Sequence, residues 1–180
     1  MGPKVKEMET AFAEYVGVKH CIGCASGTDA LLLALKAWDV KEGDAVFVPS
    51  FTFFASAEVV AIQGATPVFV DVDRDTFNMD VRDLIFKIDQ TIKAGRLKPK
   101  AVIAVDLFGL PADFKLISEV AKRYGLYLLE DAAQGFGGRI GDRRPVPLAT
   151  LQLLRFSPPS PWGATAMAVR CSPTTTNGLL

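Results

Sequence analysis

Three short runs hold the residue types that could do chemistry: ASGTDA around Gly27 and Thr28, PSFTFFAS around Phe53 and Phe54, and LLEDAAQGFGG around Asp131 and Gln134. In the first run Gly27 and Thr28 open a helical pattern. Unpaired backbone N–H groups, a hydroxyl and the positive end of the helix dipole therefore converge on one point. That point is a seat for a phosphate, and Ser, Thr and Asp there are equally ordinary helix caps. In the third run Asp131 ends LYLLE, so its carboxylate emerges from a buried strand. Such a group is costly unless it meets a cation or hydrogen-bond donors. A cationic ligand nitrogen would serve, as would a structural cap or salt bridge, with Glu130 alternating to the opposite face. In the second run Phe53 and Phe54 offer an aromatic face. A phosphate seat, an aromatic face and a buried carboxylate together describe a pocket for a flat, phosphorylated, protonated heterocycle, and pyridoxal 5'-phosphate is such a molecule.

The elements that must position these runs follow from periodicity. Val5, Met8, Phe12 and Tyr15 recur at helical spacing, and that helix stops at a glycine. CIGCA then reads as a strand and GTDALLLALKAW as a buried helix with Thr28 and Asp29 at its start. The cycle repeats through DAVFVP, TFFASAEVVAIQG, TPVFVDVD, DVRDLIFKIDQTIKAG, KAVIAVDLFG, FKLISEVAKRYG and LYLLEDAA. Continuously apolar strands separated by helices predict a three-layer α/β/α fold with a mostly parallel sheet. In such sheets ligands sit beyond the carboxyl ends of the strands, where all three runs fall. GRIGDRR has the content of a turn between short strands.

Composition narrows the class. The chain has 180 residues, 49% of them hydrophobic, enough for one domain with a core. Charges balance at 20 basic against 20 acidic, so no field favours nucleic acid or an anionic membrane. Partners are then small molecules or another copy. No apolar run approaches the roughly 18 to 20 residues of a membrane span, and MGPKVKEMET has no signal-peptide core, so a cytoplasmic location is expected. Cys21, Cys24 and Cys171 cannot all pair, and HCIGC lacks the second cysteine pair of a structural zinc site. The first two read as small strand residues, His20 as a strand-edge residue, and no metal site is expected.

The runs EYVGVKHCIGCASGTDALLLAL, GDAVFVPSFTFFASAEVVAIQGATPVFVDVD, DLFGLPADF and LLEDAAQGFGG, in that order, resemble the DegT/DnrJ/StrS family of pyridoxal-phosphate-dependent sugar aminotransferases, of the aspartate aminotransferase fold. The resemblance covers about residues 2–144 and implies part of the large domain of fold type I. It implies that Gly27 and Thr28 hold the cofactor phosphate, Phe53 stacks on the pyridine ring, Asp131 pairs with the protonated ring nitrogen, and Gln134 approaches the ring hydroxyl. It further implies a nucleotide-linked keto-sugar substrate, an amino-acid donor such as glutamate, and a homodimer. HCIGCASGTDAL and the Phe-rich second run are most similar to members that aminate a UDP-linked 3-keto sugar acid. A dehydratase of the family would use a histidine in place of the Schiff-base lysine. A Rossmann-type nucleotide-binding module would need G-x-G-x-x-G, which GCASGT does not supply. A non-catalytic fragment is the remaining alternative.

Past Arg144 the character changes. Residues 145–180 contain no Lys, Asp or Glu and hold Pro145, Pro147, Pro158, Pro159, Pro161 and Pro173 out of 11 prolines in all. Their apolar residues follow no strand or helix period, which predicts a non-native or disordered tail; the resemblance implies a C-terminal small domain, expected to be absent from this chain. Family members place the Schiff-base lysine in a run like SFFPSKPLG, and this chain has none; Lys36, Lys87 and Lys122 fall on helix faces instead. Family chains also carry an arm before an LGP-like run, and Met1 stands at that leucine. One reading joins tail and lysine. With permissible synonymous codons, the bases of PVPLATLQLLRFSPPSPWG also read GSFGDVAATSFFPAKPLG in the neighbouring frame, with the lysine codon straddling Pro159 and Ser160. Sequencing the coding DNA across Arg144 to Val146 is expected to recover that motif one base over; its absence there removes the frameshift reading.

Overall fold

The computed structural model describes residues 2–16, 20–135, 151–154 and 165–169. Among these described residues five helices and seven strands follow in the order α1 (Pro3–Val16), β1 (His20–Cys24), α2 (Gly27–Ala37), β2 (Asp44–Pro49), α3 (Ala55–Ile62), β3 (Thr66–Val70), α4 (Val81–Ala94), β4 (Lys98–Val105), α5 (Phe114–Tyr124), β5 (Tyr127–Asp131), β6 (Leu151–Leu154) and β7 (Thr165–Val169). A 3₁₀ turn, Leu107–Gly109, lies between β4 and α5. The two later helices stop where the sequence provides a glycine. Gly95 after α4 and Gly125 after α5 adopt φ of 64° and 67°, the left-handed cap that residues with a Cβ resist.

The strands form one sheet in the order β1-β7-β6-β5-β4-β2-β3. β2 to β6 run parallel, and β7 is antiparallel to both β6 and β1. β1 therefore points the same way as β2 to β6, and the carboxyl ends of these six strands share one edge. The expectation of a tail without regular structure does not hold for Leu151–Leu154 and Thr165–Val169, which fill the sheet between β1 and β5. The reason is physical: strand pairing satisfies backbone N–H and C=O groups and needs no alternation of side chains where both sheet faces are covered. The turn expected at GRIGDRR and the positions Pro159, Ser160 and Cys171 lie outside the described residues.

Alternation along the strands splits the core into two layers. Val46, Val48, Ala101, Ile103, Val105 and Leu129 face α2 and α3. Ala45, Phe47, Val102, Ala104 and Leu128 face α4 and α5. That is the expected three-layer arrangement, and β2 is buried at every position. Among the described residues no helix is long and apolar enough to cross a membrane. His20 begins the edge strand β1, which also carries Cys21, buried, and Cys24, half-buried, both as free thiols.

Truncating the fully buried Leu129 to Ala is expected to cost about 2–5 kcal/mol in urea unfolding, because the sheet cannot collapse into the cavity. Ile92→Ala near the exposed end of α4 should stay within about 0.5 kcal/mol.

Candidate functional site

Alternation also selects the face on which the three chemical runs meet. Asp131 is two residues beyond Leu129 on β5, so its side chain leaves the sheet on the layer occupied by α2 and α3. Gly27 and Thr28 begin α2 and Phe53 lies just before α3, at the strand-end side of the same layer. The first turn of α2, an aromatic side chain and a carboxylate thus lie toward one edge and one face of the sheet. Between β1 and β5 lie only β7 and β6.

The first turn of α2 is capped by Ser26, whose hydroxyl oxygen accepts the Asp29 N–H at 3.1 Å and donates to the Asp29 carboxylate at 2.8 Å. The Ala30 N–H goes to the Ser26 carbonyl at 3.1 Å. Among the described residues this leaves the N–H groups of Gly27 and Thr28 as the open donors of the turn, which suits an anion. A cleft of about 620 Å³ opens beside this turn, lined by residues including Cys24, Asp29, Lys36 and Gln63, but Gly27, Thr28, Phe53 and Asp131 are not on its wall. The candidate residues therefore lie outside that cleft.

Asp131 is 7% exposed, and one carboxylate oxygen accepts the Ala133 N–H at 3.1 Å. Glu130, on the opposite face as alternation requires, is buried still more deeply, at 1% exposure. Gln134 is exposed, and its side-chain oxygen accepts the Phe108 N–H at 2.7 Å. The Gln134 oxygen thus accepts one backbone N–H, and its amide nitrogen is the donor end of the side chain. Phe53 is 55% exposed, and Phe54, at the cap of α3, more so.

Two features escaped the sequence reading. Phe51, Phe77 and Phe108 come from three different loops to form an exposed aromatic cluster, with ring centroids 5.8 to 6.4 Å apart. Phe77 and Phe108 both adopt left-handed φ, 59° and 56°. Asn78 ties two of these loops by donating to the carbonyls of Leu110 and Pro111 at 3.0 and 3.3 Å. No periodic signal marks them, because the rings meet only once β2, β3 and β4 are adjacent. The second feature is Asp106, 2% exposed, one residue past β4 and beside Asp131 in the sheet. Burial pushes its carboxyl up to about 7, the Ala112 N–H opposes the shift, and the charge of Asp131 adds to it. Among the described residues no group of three or more His, Cys, Asp or Glu side chains could hold a metal ion.

The profile of the DegT/DnrJ/EryC1/StrS aminotransferase family matches residues 1–161, running past Arg144 where the legible family runs end. A UDP-2-acetamido-2-deoxy-3-oxo-D-glucuronate aminotransferase of Pseudomonas aeruginosa is 43% identical over 163 residues, covering 91% of this chain and 44% of the relative. A GDP-perosamine synthase of Caulobacter vibrioides is 46% identical over 137 residues, covering 76% of this chain and 35% of that protein. Among solved structures, a DegT DnrJ EryC1 StrS aminotransferase from Brucella abortus superposes with a TM-score of 0.88 at 49% identity, over 96% of this chain and 47% of that one. The PLP-form of a putative sugar aminotransferase from Streptococcus pneumoniae gives 0.85 at 27% identity, over 98% of this chain and 48% of that one. The chain thus spans less than half the length of the curated relatives it matches.

The raised carboxyl of Asp106 has a consequence for stability. The folded chain keeps a proton there that the unfolded chain releases above about pH 4. Stability from this group is whole below that value and is lost as pH rises through about 7. Thermal melts should show the midpoint falling between about pH 4 and pH 7, and Asp106→Asn should flatten part of that fall; an unchanged slope in the variant would contradict the assignment.

Proposed function

Because the chain belongs to the DegT/DnrJ/EryC1/StrS aminotransferase family, we propose that its described residues form the cofactor-binding part of an enzyme that passes an amino group from glutamate to a keto-sugar linked to a nucleotide. The observation that carries the reading is the shared face: the open first turn of α2, the loop before α3 and the carboxylate of Asp131 lie at one edge of one layer. A relative at 43% identity is a UDP-linked 3-oxo-glucuronate aminotransferase, which favours a UDP-linked 3-keto sugar acid as the substrate.

The residues fit pyridoxal phosphate by charge and by direction. The N–H groups of Gly27 and Thr28 would bind the phosphate at the positive end of α2. Asp131, buried and held by the Ala133 N–H, would keep a proton on the ring nitrogen. Gln134 would donate its amide N–H to the ring hydroxyl oxygen, with its side chain oriented by the bond its own oxygen accepts from the Phe108 N–H. Phe53 would cover the ring and exclude water from it. Bound in this way, the cofactor supplies an electron sink for the substrate carbon that carries the nitrogen.

Residues 145–180 contain no lysine, so the group that anchors the cofactor covalently in the family has no counterpart there. We therefore assign this chain by itself noncovalent cofactor binding without turnover. Two copies would pair as a homodimer; the exposed Leu33 of α2 and Ile62 of α3 suit such a contact. The free thiols of Cys21 and Cys24 fit a reducing, cytoplasmic setting.

The test is a titration with pyridoxal phosphate followed by borohydride reduction and peptide mapping. Binding is expected to weaken about tenfold or more in Asp131→Ala, because the ring nitrogen then has no buried counter-charge. No reduced adduct should appear in residues 145–180. A wild-type chain that does not bind, or an Asp131→Ala chain that binds equally well, would sink the reading.

A further inference from the structure

Asp106 is buried at a cost that simple packing would not require, since an apolar side chain would fill the same space without desolvating a carboxyl. Its surroundings tie it to the turn carrying the proposed ring contacts. β4 and β5 run in parallel with Val105 opposite Asp131, which brings the next residue, Asp106, alongside. The Asp106 N–H donates to the Asp131 carbonyl at 3.0 Å. One Asp106 carboxyl oxygen accepts the Ala112 N–H at 3.0 Å, closing the loop after β4. The other faces Gly135: a Cβ built there would come within 2.6 Å of that oxygen and 2.5 Å of the Asp106 Cβ. The turn from Ala132 to Gly135, closed by the Gly135 N–H on the Ala132 carbonyl, can settle onto Asp106 only because position 135 lacks a side chain. From the same loop the Phe108 N–H reaches the Gln134 oxygen.

We infer that Asp106 is a positioning residue for Asp131 and Gln134: its carboxyl, wedged between the Ala112 N–H and Gly135, sets the height of the turn that carries Gln134 and follows directly on Asp131 at the end of β5. The inference rests on the cofactor reading above. A removed or displaced wedge lets the turn sink or lifts it, and both ring contacts lose alignment together.

The experiment uses the 180-residue chain at about pH 6, where Asp106 holds its proton and Asn is a close isostere, with pyridoxamine phosphate as the probe. Affinity is read by titration, and the absorption band of the bound ring reports on its nitrogen and hydroxyl. Asp106→Ala and Gly135→Ala should each bind about tenfold more weakly with a displaced band. Asp106→Asn, which still accepts the Ala112 N–H, should stay within about twofold of wild type with its band in place. Wild-type affinity and an unmoved band in both Asp106→Ala and Gly135→Ala would overturn the inference, whatever their melting midpoints. If Asp106→Ala fails to fold, Gly135→Ala and the milder Asp106→Ser carry the same test. A wild-type chain that ignores the probe, or binding untouched by Asp131→Ala, instead overturns the cofactor reading itself.

Discussion

The parallel pairing of β4 with β5 sets Val105 opposite Asp131 and brings a second buried carboxylate, Asp106, to the same edge of the sheet, and the loops at that edge are arranged around this constraint. A buried carboxyl must find donors, a cation or a proton. Asp106 takes the Ala112 N–H and is pushed up to about 7, so near neutrality it gives up charge readily. Asp131 accepts the Ala133 N–H from the turn that follows it. The neighbouring loops are drawn in by the same bonds, through Asp106 to Asp131 and Phe108 to Gln134, so the site is supported by hydrogen bonds between loops rather than by one long element.

Around that centre the sheet works as a frame with two different faces. The α4 and α5 layer takes Phe47, Val102, Ala104 and Leu128 and has a structural part to play. The α2 and α3 layer takes Val46, Ile103 and Leu129, and the residue in phase with Leu129 at the strand end is the polar Asp131. Period 2 therefore decides which layer receives the carboxylate, and the helix that begins with open N–H groups at Gly27 and Thr28 belongs to that layer. A one-residue slip in β5 would send Asp131 to the α4 and α5 side and Glu130 toward the site.

The loops show where local sequence rules stop. Helices α4 and α5 begin at Asp80 and Asp113, whose side chains accept first-turn N–H groups, and end at glycines, as their sequences indicate. Phe77 and Phe108, by contrast, hold left-handed φ that phenylalanine rarely adopts, and the compensation is tertiary: each ring packs on the other and on Phe51. Nothing in TFN or LFG announces that conformation.

Much of the fold was legible in the sequence because its signals are local. The first five strands and five helices, the three chemical runs and the polarity of Asp131 follow from periods, caps and the cost of burying a charge. The family runs named the roles of Gly27, Thr28, Phe53, Asp131 and Gln134, and these remain a reading of resemblance supported by their shared face. Only the tertiary structure decided that β6 and β7, drawn from a stretch with no legible period, sit between β1 and β5. It alone brought Asp106 against Gly135 and turned the Gln134 oxygen toward Phe108. The physical reason is that pairing order and close approach depend on hydrogen bonds and contacts between residues distant in the chain, and periodicity carries no record of partners.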